Sequence, residues 1–235
     1  MTTVEILYAL EAHYYPKGGG PQTAAWSTDP YEFLVWWHCG YPASDAACER
    51  GWEALKKAVG VTPEKILAAS DAKLARALKA GGMVPELRAQ RLREIAERVL
   101  REFGGDLLAA LAGPEEKARK LLKKFPNIAD AGADRILLFA GLSPVAAVPS
   151  NCPQVLVRIQ LGLERENYGV TYREAQKLLE AEVRPALEAR QRAYLLLKRH
   201  GQEVCKRSKP KCELCPVSAE CRYFAGVDRG RERPR

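Results

Sequence analysis

The fold is indicated first by a cysteine-rich stretch, CKRSKPKCELCPVSAEC, which occupies residues 205–221. Its cysteines follow the spacing C-x6-C-x2-C-x5-C. Chance rarely places four thiols so close together, and this density is typical of a ligand set. We therefore interpret four cysteines as the ligands of one group: Cys205, Cys212, Cys215 and Cys221.

Three kinds of group could use these four thiols. Disulfides are disfavoured because the first ten residues carry Glu5 and no basic cluster, which argues against a secretory signal. Zinc modules usually have two close cysteine pairs, whereas this stretch has one close pair flanked by two single cysteines. Iron–sulphur clusters accept uneven spacing because their ligands attach at separate corners. We expect a [4Fe–4S] cluster and keep a zinc-bound structural module as the alternative.

The segment between the first two ligands is strongly basic. Residues 190–235 hold 13 basic and 5 acidic side chains, which accounts for the whole net charge of +8. A basic region of this kind favours a polyanion, with nucleic acid ahead of a membrane surface. The alternative is a solvated basic tail. The predicted phosphate clamp, on a loop pinned by cysteines at both ends, consists of Lys206, Arg207, Lys209 and Lys211.

The rest of the chain is expected to be all-α. Its 235 residues are 47% hydrophobic, which is ample for a buried core, and no convincing alternation of apolar and polar residues indicates a sheet. Pro85–Phe103 has helical spacing and ends at Gly104-Gly105. Further helix starts are predicted where residues can cap a helix: Asp29, Thr62, Thr171 and, for a helix through Leu55, Asp45.

The sequence gives no sign of a membrane segment. The longest uncharged run, residues 136–157, contains three prolines and is a poor membrane helix. We expect a cytoplasmic monomer, associated with the nucleoid if the source is bacterial, without a membrane partner.

Cys39, Cys48 and Cys152 are expected to be small core residues.

The cysteine spacing, at the end of a helical chain, resembles the iron–sulphur loop of the endonuclease III family of helix-hairpin-helix DNA glycosylases. Asp29-Pro30-Tyr31-Glu32-Phe33-Leu34 resembles the first barrel helix of that family, and Phe125-Pro126-Asn127-Ile128-Ala129 lies where the family has its hairpin. Residues 133–141 resemble the second helix of that hairpin motif. The resemblance extends from Asp29 to Phe224.

The resemblance implies two helical domains. Residues 27–143 would form a six-helix barrel domain with the hairpin, and residues 1–26 with 144–235 would form the iron–sulphur domain. It also implies a protein that binds double-stranded DNA, damaged or distorted, flips a nucleotide and cuts its glycosidic bond.

The catalytic positions of the family have changed here. The lysine that forms a Schiff base corresponds to Ala131, and the aspartate that stabilises the sugar cation corresponds to Pro149. The glutamine near the flipped base corresponds to Pro42. We therefore expect no lyase step and only weak, diverged or monofunctional base excision. The alternative is a catalytically inactive protein that binds DNA structures on the same scaffold.

Three residues are candidates for a substitute acid or base. Asp130 and Asp134 follow the hairpin, although capping or surface roles are commoner for Asp on a helix. Two carboxylates there would also repel phosphate. His38 lies among aromatic residues, where a satisfied core histidine is the commoner outcome.

Several residues are candidates for DNA contacts. In the hairpin, Asn127 and Ala129 replace the family's glycines, and Lys123 and Lys124 precede them. Asn tolerates a left-handed backbone, whereas Ala tolerates it poorly. Met83, in a Gly-rich turn, corresponds to the apolar wedge that enters the gap left by a flipped base. The alternative is a tight turn in which Met83 packs inward.

Overall fold

The computed structural model describes residues 1–23, 28–41 and 44–228. Within these residues the regular structure is helical, which confirms the predicted all-α class. None of the described helices combines the length and hydrophobicity that a membrane crossing requires. The α-helices of these residues, in chain order, are α1 (Thr3–Tyr14), α2 (Pro30–His38), α3 (Asp45–Ala58), α4 (Pro63–Ala68), α5 (Asp71–Leu78), α6 (Pro85–Phe103), α7 (Leu107–Leu111), α8 (Glu115–Leu122), α9 (Asp130–Phe139), α10 (Gln154–Leu161), α11 (Tyr168–Glu182), α12 (Leu187–Glu203) and α13 (Arg222–Asp228).

The chain divides into two compact units. Residues 24–129 form one, here called the central unit, and residues 1–23 with 130–235 form the other, the terminal unit. The sequence places the boundary after residue 143, whereas this division assigns α9 to the terminal unit. The physical reason is its packing, because Phe139 makes an edge contact with Tyr194 of α12 at 5.2 Å between ring centroids.

The central unit is organised by its longest helix. The bounds of α6 agree with the sequence prediction, and Gly104 ends the helix in a left-handed conformation with φ of 60°. Leu92, Ile95 and Val99 are fully buried along one face of α6. This face packs against α2, α4 and α5.

Two of the predicted helix caps are confirmed and two are wrong. Asp29 and Thr62 cap α2 and α4. Asp45 is instead the first residue of α3, which Ser44 caps. Thr171 lies inside α11, where Asn167 is the cap, because the Thr171 hydroxyl is already engaged with the backbone of Arg165.

The terminal unit has one continuous apolar core, to which α1 contributes Ile6 and Leu10. Cys152 lies in this core, and Cys39 and Cys48 are buried in the central unit, so the core role predicted for these three is confirmed. No disulfide joins any of the seven cysteines, all of which lie within the described residues.

Candidate functional site

The turn before α6 presents an apolar tip to solvent. Met83 is 85% exposed and Val84 53% exposed. The alternative in which Met83 packs inward is therefore wrong. Val84 has φ of 49° and ψ of 51°, a left-handed conformation that is unusual for a β-branched residue. The backbone of this tip is thus set by its surroundings rather than by its own preference.

Arg88 donates side-chain hydrogen bonds to the backbone of this turn. Its side chain is buried, and it donates from Nε to the carbonyl oxygen of Met83 at 3.0 Å. Its Nη2 donates to the carbonyls of Gly82 at 2.6 Å and Leu78 at 3.0 Å, and its Nη1 donates to that of Cys39. Sequence reasoning missed this residue, because an arginine in an amphipathic helix is expected to face solvent.

The connection between α8 and α9 keeps the left-handed residue predicted for the hairpin. Asn127 has a φ of 54°, whereas the φ of Ala129 is not positive. Lys123, Lys124, Asn127 and Ala129 are all exposed. The turn is fixed within the central unit, since Arg98 lies over the Phe125 ring at 5.6 Å and donates to the carbonyl of Lys124.

His38 connects α2 to this turn. The ring is buried, with Nδ1 2.7 Å from the carbonyl oxygen of Leu34 and Nε2 3.0 Å from that of Pro126. Burial lowers the pKa of His38 to about 4, and the charge of Arg91 acts in the same direction, although both hydrogen bonds oppose it. This placement favours a packing role over catalysis.

The two candidate aspartates have different surroundings. Asp130 is exposed in the first turn of α9. Asp134 is only 1% exposed and its Oδ2 accepts from the Tyr172 hydroxyl at 2.8 Å and from Gln176 Nε2 at 2.9 Å. Burial, followed by the nearby charge of Asp134, raises the pKa of Tyr172, which keeps this donor protonated. Asp134 is therefore an internal acceptor rather than a surface charge.

The positions of the expected catalytic side chains are filled by packing residues. Ala131 belongs to the core of the terminal unit, and Pro149 is buried. Pro42 lies outside the described residues. The first two positions therefore present neither an amine nor a carboxylate.

The four clustered cysteines line one small cavity of about 20 Å³, together with Arg158 and Tyr223 among others. In the part of the chain that the structure describes, no three or more His, Cys, Asp or Glu side chains are arranged to hold a metal ion. The thiols thus surround a common space without taking up a coordination geometry.

Buried polar groups fix the cysteine-rich loop. Arg158, on α10, donates to the carbonyls of Lys206 and Arg207, each at 2.8 Å, and pairs with Glu164 at 2.6 Å. Gln154 donates to the carbonyl of Cys205 at 3.0 Å. The loop is therefore anchored through its backbone, and its basic side chains remain exposed.

One hydrogen-bonded chain points at a cysteine. The Tyr14 hydroxyl is 2.9 Å from Nδ1 of His200, and Nε2 of His200 is 3.4 Å from Cys215 Sγ. Burial lowers the pKa of His200 to about 4, so the ring is neutral at pH 7. The tautomer with its proton on Nε2 accepts from Tyr14 and donates to the sulfur.

Burial also disfavours free thiolates in this cluster. It raises the pKa of Cys205 to about 12 and that of Cys215 to about 11. A bound cation or metal cluster would reverse this effect, because metal-bound thiols lose their protons.

The predicted phosphate-clamp residues are exposed: Lys206, Arg207, Lys209 and Lys211. Lys209 has φ of 52°, and Arg207 Nε lies 3.5 Å from Glu164 Oε2. The loop thus presents cations on a backbone that Arg158 holds.

The chain is similar to known proteins in both sequence and structure. No family model matches the chain. The chain is 27% identical over 161 residues to the thymine/uracil-DNA glycosylase of Methanothermobacter thermautotrophicus, a match that covers 68% of this chain and 67% of that protein. It is 26% identical over 182 residues to the transcriptional activator DEMETER of Arabidopsis thaliana, which covers 70% of this chain and 9% of DEMETER. The chain therefore spans only a small part of DEMETER.

Solved structures match almost the whole chain. A thermostable thymine-DNA glycosylase matches with a TM-score of 0.73 and 20% identity, over 95% of this chain and 97% of that one. Endonuclease III in a non-covalent DNA complex matches with a TM-score of 0.72 and 19% identity, over 97% of this chain and 99% of that one. A 3-methyladenine DNA glycosylase of H. pylori, bound to 1,N6-ethenoadenine, matches with a TM-score of 0.65 and 21% identity, over 86% of this chain and 98% of that one. The chain has the helical fold of endonuclease III and thymine-DNA glycosylase, which confirms the predicted resemblance.

The buried His38 predicts a pH-dependent stability. In the unfolded chain His38 binds a proton near pH 6.5, whereas in the folded protein it does so only near pH 4. The free energy of unfolding should therefore fall by up to about 3 kcal/mol as the pH drops from 6.5 to 4, and this component should be missing in His38→Gln. Urea unfolding at several pH values measures it.

His38→Gln should keep the part of the pH dependence that His200 contributes, because burial also lowers the pKa of His200 to about 4. Equal pH slopes in wild type and His38→Gln would show that burial of His38 does not cause the effect.

Proposed function

We propose that this chain is a DNA-binding protein of the endonuclease III-like DNA glycosylase family, of the base-excision repair type. The proposal rests on one observation above all, the match of nearly the whole chain to DNA glycosylase structures, among them endonuclease III in a DNA complex. The partner would be double-stranded DNA with a damaged or distorted site, bound by a monomer.

Base excision, where it occurs, would proceed without a lysine Schiff base. Ala131 has no amine to attack the sugar, and Pro149 has no carboxylate to stabilise charge on it. Loss of one acid–base group typically costs about a hundredfold to ten-thousandfold in rate. This supports weak, monofunctional excision, with a catalytically inactive DNA-binding protein as the second possibility.

Among the candidate acids, Asp130 is the best placed. It is exposed at the start of α9, directly after the hairpin turn. Asp134 and His38 are both buried, and their polar atoms face partners within the protein. A group that accepts or delivers a proton must reach the substrate within hydrogen-bonding distance, which favours Asp130.

DNA would be held by two kinds of contact. The apolar tip at Met83 would enter the base stack, as apolar wedges do in other proteins. Phosphates would be bound by backbone and cations: Lys123, Lys124, Asn127, Ala129, Lys206, Arg207, Lys209 and Lys211.

A [4Fe–4S] cluster on the four clustered cysteines would hold the basic loop in shape. Two observations support such a group here: four thiols line one cavity, and His200 Nε2 lies 3.4 Å from Cys215 Sγ. The Arg158 guanidinium also approaches Cys205 and lowers the thiol's otherwise raised pKa. When bound, the cluster would supply a cross-link between the four cysteines. The His200 and Arg158 side chains would stabilise the thiolate forms of these cysteines.

The activity is tested by single-turnover excision with protein in excess over duplexes carrying oxidised, alkylated, deaminated or mismatched bases. We expect slow release of at least one base, seen as strand cleavage only after hot alkali, because no amine stands at position 131. Borohydride should trap no covalent complex with abasic DNA.

Trapping a covalent complex would contradict the absence of a lysine step. If cluster-loaded protein bound the duplexes and released no base from any of them, the inactive DNA-binding alternative would replace the glycosylase.

The phosphate clamp is tested by replacing its four cations with Gln: Lys206, Arg207, Lys209 and Lys211. Binding should weaken for all duplex sequences, and the slope of log K against log salt should flatten by about 0.9 for each phosphate that the variant no longer neutralises. Fluorescence anisotropy at several salt concentrations measures both.

A control variant removes the same charge from other exposed lysines: Lys56, Lys57, Lys65 and, with them, Lys177. Its salt slope should stay close to that of wild type. An unchanged slope in the clamp variant would reject the clamp.

The cofactor is tested by metal and sulphide analysis of protein purified without oxygen. A [4Fe–4S] cluster predicts about four iron atoms and about four sulphides per chain and a brown colour. One zinc ion without sulphide would favour the zinc module instead. Cys212→Ser should lower the metal content, whereas the core variant Cys48→Ser should leave it unchanged, because Cys48 is remote in sequence from the cluster.

A further inference from the structure

The apolar tip before α6 stays exposed although its composition favours burial. Met83 and Val84 are followed by Leu87, which is also partly exposed. Val84 adopts a left-handed backbone, which is sterically unfavourable for a non-glycine residue. Such a conformation persists only where the surrounding structure over-determines it. The buried side chain that donates to the backbone of this tip, at Gly82 and Met83, is Arg88.

Arg88 uses every nitrogen of its guanidinium on backbone carbonyls. Two of these, at Gly82 and Met83, lie in the tip, one at Leu78 lies before it, and one at Cys39 lies at the end of α2. A lysine could not reproduce this, since its ammonium is a single point of donation and lacks the planar fork. The tip is therefore tied at several points to one buried group that is only 1% exposed.

The surrounding backbone is shaped to admit this guanidinium. A Cβ on Gly81 would lie 1.8 Å from the carbonyl oxygen of Cys39 and 2.7 Å from Arg88 Nη1. Only glycine fits there while Arg88 keeps its place. The Gly81 position and the Arg88 hydrogen bonds thus form one unit of structure beneath the exposed tip.

From this geometry we infer that Arg88 is a positioning residue that holds the Met83–Val84 tip in one conformation for insertion into a distorted base stack. The inference rests on the proposed function. A tip ordered before binding avoids the entropy loss of ordering it in the complex. Arg88 itself touches no DNA and acts through the tip.

The test uses full-length protein and a duplex with a tetrahydrofuran abasic-site analogue opposite 2-aminopurine. Unstacking of 2-aminopurine raises its fluorescence, so saturating wild-type protein should increase the signal and Met83→Ala should abolish the increase. Arg88→Lys should reduce the increase and weaken binding by about fivefold, comparable to immobilising one flexible side chain. Arg88→Lys should add nothing in the Met83→Ala background, since coupled residues are not additive.

The matched control is Arg93→Lys on the same helix. Arg93 also donates to backbone carbonyls, those of Leu67 and Ala69, and pairs with Asp71 at 2.5 Å. Its replacement should lower stability without changing the fluorescence of the bound duplex. Equal effects of Arg88→Lys and Arg93→Lys, or an unchanged effect of Arg88→Lys in the Met83→Ala background, would overturn the positioning role.

A second variant covers the case in which Arg88→Lys does not fold. Gly82→Ala strains a surface turn with φ of 116° and should pull its carbonyl away from Arg88, whereas Gly19→Ala applies comparable strain elsewhere, at φ of 88°. Only Gly82→Ala should reduce the fluorescence increase; equal results from both would overturn the inference. Binding without any increase in wild type would overturn the inference alone. A failure to bind the duplex at all would overturn the proposed function as well.

Discussion

A guanidinium removed from water needs acceptors for its N–H groups, and in each unit this constraint ties one exposed segment to a buried arginine. In the central unit Arg88 finds its acceptors in the turn that carries Met83. In the terminal unit Arg158 finds two of its acceptors in the loop that carries Lys206 and Arg207. Each arginine donates to backbone oxygens, so it fixes the path of a loop without restricting the side chains that the loop presents.

This arrangement separates shape from surface chemistry. An apolar tip and a cationic loop are costly in isolation, because one exposes hydrophobic surface and the other concentrates like charge. Here the backbone of each segment accepts hydrogen bonds from a buried arginine. The buried His38, between the carbonyls of Leu34 and Pro126, holds the hairpin turn in a similar way. Segments that contact a partner can therefore change while the scaffold keeps its fold.

The helical class and the long helix α6 could be predicted from sequence because they follow from local periodicity and caps. The exact capping residues are harder to predict than the helices themselves. Ser44 and Asp45 are neighbours with similar capping ability, and the choice between them depends on where the preceding chain comes from. The roles of Arg88 and Asp134 could not be predicted, because their partners at Cys39 and Tyr172 are distant in sequence. The exposure of Met83 could not be predicted either, because the hydrogen bonds that Arg88 donates to the backbone of its turn cannot be read from local periodicity.

The hairpin and the distribution of charge are physically related. Asn127 has a left-handed backbone in the turn before α9, and Asp130 places a carboxylate in the first turn of that helix. A helix start with its N–H groups exposed favours an anion, and a carboxylate there occupies that favourable field. On the proposed function, attraction for DNA would then come from elsewhere in the chain. The whole net charge of +8 resides in residues 190–235, which include the loop that Arg158 anchors. The cysteine-rich loop would then supply the electrostatic attraction that Asp130 opposes at the hairpin, and its cations would keep their positions only while Arg158 holds the backbone beneath them.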